Sequence, residues 1–192
     1  WIVQVDCDEY FVDFKKFVAD LRRYDSFLIH PEKNPIQVCA FLVMLYKYTA
    51  NGILYVDKPM NAIFATNFPN YKGGRRIKGR KIYTDSIVLH ESLARTEEEL
   101  RFKLDNWGHN QEIDKGFLSK WLAVDENNYN DFKDFYYLNP KKSKKLNFFP
   151  NKSIPQIKEI IEKEKRLSVS KWYINYENFL QWLKYLLKKT IK

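Results

Sequence analysis

The first five residues, Trp1-Ile2-Val3-Gln4-Val5, are mostly apolar and β-branched, and they stop abruptly at Asp6-Cys7-Asp8-Glu9. A short run of this kind reads as a buried strand, and carboxylates that follow it without a spacer must emerge at the edge of a sheet, where water reaches them. The chain therefore has to build a sheet that buries the run and presents the acids at its carboxyl end. Phe11, Phe14, Phe17, Val18 and Leu21 come next at three- and four-residue steps, with Asp13, Lys15, Lys16, Asp20 and Arg22 between them. That spacing predicts an amphipathic helix packed on the sheet.

Pro31 and Pro35 mark a loop, and residues 38–48 read as a long buried strand, with a helix of the same length as the alternative. From 51 to 71 the signals are mixed, and Asn51-Gly52, Pro59 and Pro69 predict only turns and extended chain. Residues 71–81 are basic and glycine-rich, and lead into two strand-like pieces, 82–83 and 86–89, that end at His90-Glu91. Thr96 with Glu99 has the spacing of a capping box, Leu100, Leu104 and Trp107 continue as a helix, and Gly108 is the expected stop. A further helix containing Phe117, Leu118, Trp121 and Leu122 follows His109 and Asn110.

After Pro140 the composition changes. Lys141, Lys142, Lys144 and Lys145 form a solvated connector, Ser153 and Gln156 repeat the capping-box spacing before Ile157, Ile160 and Ile161, and a last helix carries Trp172, Tyr176, Phe179, Leu180, Leu183 and Leu187 along one stripe. The expected organisation is a body over residues 1–140 and a basic helical appendage over 141–192. That last helix has two readings, docking on the body or lying on a membrane surface through residues 170–192.

Charge supports the division. The net charge is +9, yet residues 141–192 hold 14 Lys/Arg against 4 Asp/Glu, so the appendage carries +10 and the body −1. A near-neutral body with one cationic end is not the pattern of a whole-surface nucleic-acid binder, and no nucleic-acid partner is expected. It fits local attachment to something anionic, such as lipid head groups. Two cysteines without metal-site spacing, no export-signal pattern and no apolar run of membrane-spanning length lead to an expectation of reduced thiols and a cytoplasmic location, peripheral to the inner face of the membrane.

Two carboxylates one residue apart at a strand end can share one hard cation, because Mg²⁺ and Mn²⁺ favour oxygen ligands and keep positions open for phosphate oxygens. The plain alternative is a solvated turn that caps the next helix. The surrounding residues go further. An apolar strand opened by Trp, then Asp-x-Asp-Glu-aromatic and an amphipathic helix, resembles the signature of family 2 glycosyltransferases of the GT-A fold. Lys81-Ile82, the run from Ile87 to His90-Glu91 and Leu93, and a capped helix with Lys103-Leu104 resemble that family's late strand, His and following helix.

The resemblance spans roughly residues 1–125 and implies an α/β fold, a partial GT-A-like mixed sheet flanked by helices with the helical appendage behind it. It implies that Asp6 and Asp8 bind Mn²⁺ or Mg²⁺ bridging a nucleotide-sugar diphosphate, with His90 as a third ligand, and that a carboxylate deprotonates a glycan or lipid-linked acceptor with inversion. Glu91 is first choice for that base, with Glu98 and Asp114 behind it. Arg75 and Arg76, after Gly73-Gly74, would clamp the diphosphate or an anionic acceptor, and Trp107 and His109 are the other substrate-binding candidates. Phe117-Leu118-Ser119-Lys120-Trp121 lacks the Gln and Arg of the processive members' Gln-x-x-Arg-Trp box. In that family the Asp-x-Asp follows a nucleotide-binding half, so the expectation is a fragment of a longer enzyme that dimerises through an exposed sheet edge. Two other classes stay open: a noncatalytic module binding nucleic acid or membrane through the basic aromatic tail, and a two-metal phosphoryl-transfer or nuclease domain.

Overall fold

A computed structural model describes residues 1–69, 76–108, 113–133, 135, 145–164 and 167–190. These residues form strands β1 (Ile2–Val3), β2 (Glu9–Phe11), β3 (Ile36–Tyr48), β4 (Ile53–Val56), β5 (Met60–Thr66), β6 (Arg80–His90) and β7 (Leu146–Phe149). The helices are α1 (Phe14–Arg22), α2 (Glu97–Asn106), α3 (Phe117–Ala123), α4 (Ile154–Glu164) and α5 (Lys171–Thr190). The class is mixed α/β with an open antiparallel sheet. The chain divides into two compact units, one made of Trp1–Leu42, Met60–Val88 and Lys165–Lys192, the other of Val43–Pro59 and Leu89–Glu164.

In the first unit β5 lies between β3 and β1, paired from Gln37↔Thr66 to Leu42↔Met60 on one edge and at Ile2↔Thr66 and Val3↔Ala65 on the other. β6 pairs with both β3 and β2. Successive strand residues face opposite sides, and β3 uses both. Ile36, Val38, Ala40 and Leu42 join Phe11, Phe17, Leu21 and Phe64 in one cluster under α1, while Phe41 meets Tyr83 and the α5 ring of Tyr173.

The expected first helix is divided in two. Phe11 belongs to β2, where its ring stacks on Phe17 at 4.6 Å and meets Phe64 edge-on at 5.2 Å. The helix starts only after Asp13, whose carboxylate accepts the Lys16 N–H at 2.8 Å as an N-cap. The two strand-like pieces before His90 are one strand, because the polar residues between them find partners in the sheet and on α1. Thr84 is buried and donates to the Cys39 carbonyl at 3.0 Å, and Asp85 pairs with Lys16 of α1.

In the second unit the end of β3 pairs with β4 (Leu45↔Tyr55 to Tyr48↔Ile53), and β4 pairs with β7 (Ile53↔Phe149 to Val56↔Leu146). The strands β4, β5 and β7 fall where only turns, extended chain or a connector are expected. Each is short, and each forms through a partner distant in sequence or across a turn. Gly52 at the β3–β4 turn has a specific reason to lack a side chain: a Cβ there would lie 2.1 Å from the Phe149 carbonyl oxygen of β7. Tyr46 packs edge-on against Phe117 and Phe135, and the Trp121 indole donates to its carbonyl at 2.9 Å. α3 forms where its spacing predicts, and α4 begins directly after Ser153, burying Ile157 and Ile161. Among the described residues no helix is long and apolar enough to cross a membrane.

Candidate functional site

Asp6-Cys7-Asp8-Glu9 is a tight turn between β1 and β2, fixed by its own last residue. The Glu9 N–H donates to the Asp6 carbonyl at 3.0 Å, and the Glu9 carboxylate accepts the Asp6 N–H at 2.8 Å. Glu9 is buried, while Asp6 is exposed and Asp8 half-exposed. The three acids thus divide by role. Glu9 bonds the backbone through its carboxylate, and Asp6 and Asp8 sit on the turn that this bond shapes. The role of Glu9 is not assigned by the sequence reading, although a signal exists: Thr96 and Glu99 have the same separation, and there too a carboxylate reaches back three residues to a backbone N–H, at 2.9 Å.

β1 leaves β5 shortly before this turn, with the Gln4 N–H on the Phe64 carbonyl at 2.9 Å. Residues 61–63 of β5 help to line a groove of about 520 Å³ that also holds Arg76, Ile77 and Lys81. Gln37 shapes its rim, accepting the Ile77 N–H at 3.1 Å and donating to the Gly79 carbonyl at 3.2 Å. Of the two arginines expected to clamp phosphate, Arg76 therefore lines a groove with a second cation. Arg75, with Gly73 and Gly74, lies outside the described residues.

The remaining described candidates belong to the second unit, among them His90, which ends β6, a strand begun in the first. Glu91 accepts a hydrogen bond from the Tyr48 hydroxyl at the end of β3. Lys103 of α2 donates to the Ser92 carbonyl and hydroxyl at 2.9 and 3.0 Å, fixing the chain beyond Glu91. Both halves of the expected capping box are present at the start of α2, and the Thr96 backbone and hydroxyl bonds hold the Glu99 carboxyl below its ordinary range. On α2 itself, Glu98 and Trp107 share a groove of about 610 Å³ with Arg95, Phe102 and Lys103. Asp114 precedes α3, its carbonyl accepting the Phe117 N–H at 2.9 Å and its carboxylate 3.7 Å from the Lys120 ammonium. His109 lies outside the described residues.

The structure thus brings Glu98 together with Trp107, joins Glu91 to Tyr48, and fixes Asp6 and Asp8 on one turn. Among the described residues no group of three or more His, Cys, Asp and Glu side chains is gathered to hold a metal ion. A Mg²⁺-type site does not require one, since such ions are commonly held by one or two carboxylates and completed by substrate phosphate and water. Asp6 and Asp8 place two carboxylate residues on one turn. No protein-family model, curated protein or solved structure matches the chain.

Proposed function

We propose that the chain carries the metal- and acceptor-side residues of an inverting glycosyltransferase that uses a nucleotide-sugar donor and a glycan or lipid-linked acceptor. The observation that carries this reading is the Glu9-clamped turn, which holds the carboxylate-bearing residues Asp6 and Asp8 one residue apart a short way beyond β1. Mn²⁺ or Mg²⁺ bound there supplies a Lewis acid for the charge that develops on a departing diphosphate. Arg76 and Lys81 provide fixed positive charge in a groove suited to an anionic group. Proton acceptance from an acceptor hydroxyl falls to a carboxylate. Glu91 is the first candidate, oriented by Tyr48, and Glu98 the second, in a groove where Trp107 and Phe102 offer apolar surface to a sugar ring.

Calorimetric titration of the chain with Mn²⁺ in the presence of a nucleoside diphosphate tests the proposal. The wild type should bind, and Asp6→Asn/Asp8→Asn should bind at least about tenfold more weakly, as loss of ligand-sphere groups generally does. Glu91→Gln and Glu98→Gln should bind like the wild type, since neither is a proposed ligand. Equal affinity in the wild type and the Asp6/Asp8 variant would remove the metal assignment, and with it the reading.

A further inference from the structure

Helix α5 is attached by the wrong face for an ordinary docked helix. At 100° per residue Trp172, Tyr176, Phe179 and Leu183 form one stripe, which Leu186 and Leu187 continue and Trp182 borders. An amphipathic helix normally buries such a stripe. Here Trp172 is 73% exposed, Tyr176 46%, Phe179 53% and Trp182 42%. The contacts that hold the helix come from its other side. The Asn178 carboxamide donates to the Tyr83 carbonyl at 2.9 Å and accepts the Tyr83 N–H at 2.7 Å, so it pairs with β6 as a neighbouring strand would. Ile174 is buried, Tyr173 meets Phe41, and the Tyr185 hydroxyl bonds the Asn34 side chain.

The exposed rings are already associated. Trp172 and Tyr176 stack with centroids 5.4 Å apart and planes 4° from parallel, and Phe179 and Trp182 stack at 6.0 Å. From Trp172 to Leu187 the stripe is about 23 Å long at the helical rise per residue. The helix sequence holds Lys171, Lys184, Lys188 and Lys189 against Glu177 alone, and Lys171 and Lys184 project away from the stripe centre by roughly 100° in helical angle.

We infer that α5 is an in-plane membrane-surface helix that seats this ridge among the acyl chains and head groups of an anionic phospholipid bilayer. Two features select that occupant, and two arguments exclude its rivals. Trp and Tyr beside aliphatic Leu is the composition that settles at the boundary between head groups and hydrocarbon. Lysines flanking the stripe reach anionic head groups while the ridge inserts. A second copy would bring the same positive charge against itself. A single-stranded nucleic acid would call for cations among the rings, where α5 has Leu183. The inference does not depend on the sugar-transfer reading.

The test is flotation of the full chain with phosphatidylcholine vesicles, with and without phosphatidylglycerol. The wild type should float with the anionic vesicles, less so at high salt, and stay behind with the neutral ones. Trp172→Ser/Phe179→Ser, with helicity checked by circular dichroism, should lose about tenfold or more in partitioning, since two inserted rings are removed. Lys171→Gln/Lys184→Gln should lose less and show a weaker salt dependence. Should the ring variant fold poorly, quenching of wild-type tryptophan fluorescence by brominated lipid decides, because only insertion brings the ridge to the bromines. The inference is overturned if the wild type stays unbound or unquenched. It is equally overturned if the ring pair proves necessary for a concentration-dependent dimer or for single-strand binding while vesicles are ignored.

Discussion

At the residue scale, three positions hold local structure that a single substitution can test. Glu9 fixes the Asp6 N–H, and replacing it by Ala removes the acceptor of a part-buried backbone hydrogen bond at a cost of about 0.5–1.5 kcal/mol. Glu9→Gln keeps an acceptor oxygen, so thermal melts should rank wild type, Gln and Ala in that order. Gln and Ala melting together would show that the reach-back bond contributes nothing. Gly52 admits no side chain beneath β7, and Gly52→Ala should lower stability by about 1–3 kcal/mol through forced displacement of Phe149, measurable by urea unfolding. Asn178→Ala should free α5 from the Tyr83 edge of β6, so amide exchange at Tyr83 should accelerate while the strand-paired amides of β3 keep their protection.

At the element scale, α3 depends on a lysine outside it. The Lys47 ammonium donates to the carbonyls of Trp121, Leu122 and Val124 at 2.7, 3.0 and 2.7 Å, and sits 4.6 Å from the Trp121 ring centroid. It therefore satisfies orphan carbonyls at the helix end and answers the helix dipole. Lys47→Met should destabilise the chain by about 1–3 kcal/mol, with Trp121 fluorescence lost at lower urea. The strands have their own pH signature. Burial first, then neighbouring negative groups, pushes the Tyr83 hydroxyl up to about 12 from 10.0, and burial pushes the Cys39 thiol up to about 12 from 9.0. Burial raises Tyr46 as well. Between the unfolded and folded values the native state keeps protons that the unfolded chain has released, so stability should fall as pH rises from about 9 towards 12. Lys47, lowered mainly by desolvation, acts in the opposite sense below its ordinary value of 10.5, and it is outnumbered by the raised groups, which also include Lys16 and Tyr173. Urea midpoints measured from neutral to alkaline pH check the sign, and Cys39→Ala should flatten the beginning of the decline.

At the scale of the whole molecule the chain passes between its two units at 42/43, 59/60, 88/89 and 164/165. Two of these passages lie inside β3 and β6. Neither unit can lose those strands without disturbing the other's backbone, so unfolding followed by circular dichroism and by tryptophan fluorescence should superimpose as one transition. Two resolved transitions would show that the units are energetically separate. The homodimer expected through a sheet edge has little strand to use at β1, which is two residues long, and short edge strands are a common way of discouraging such pairing. Size-exclusion chromatography over a range of concentrations decides it, and a clean monomer throughout would exclude the dimer.

What the sequence determined by itself was local. The capped start of α2, the apolar period of α3 and α5 and the long strand β3 are written in residues a few positions apart, and so is the Asp6–Glu9 turn, where a carboxylate three residues on reaches back to an N–H. Tertiary structure decided the rest because the deciding partners are distant in sequence. β4, β5 and β7 exist through their pairing, and Phe11 is a strand residue because Phe64 and Phe17 meet it. The same holds for Lys47, which caps a helix more than seventy residues away. The stripe on α5 shows the limit most clearly. Its period was legible from the start, but whether it faced the core or the solvent depended on Asn178 and Tyr83, whose pairing no local pattern contains.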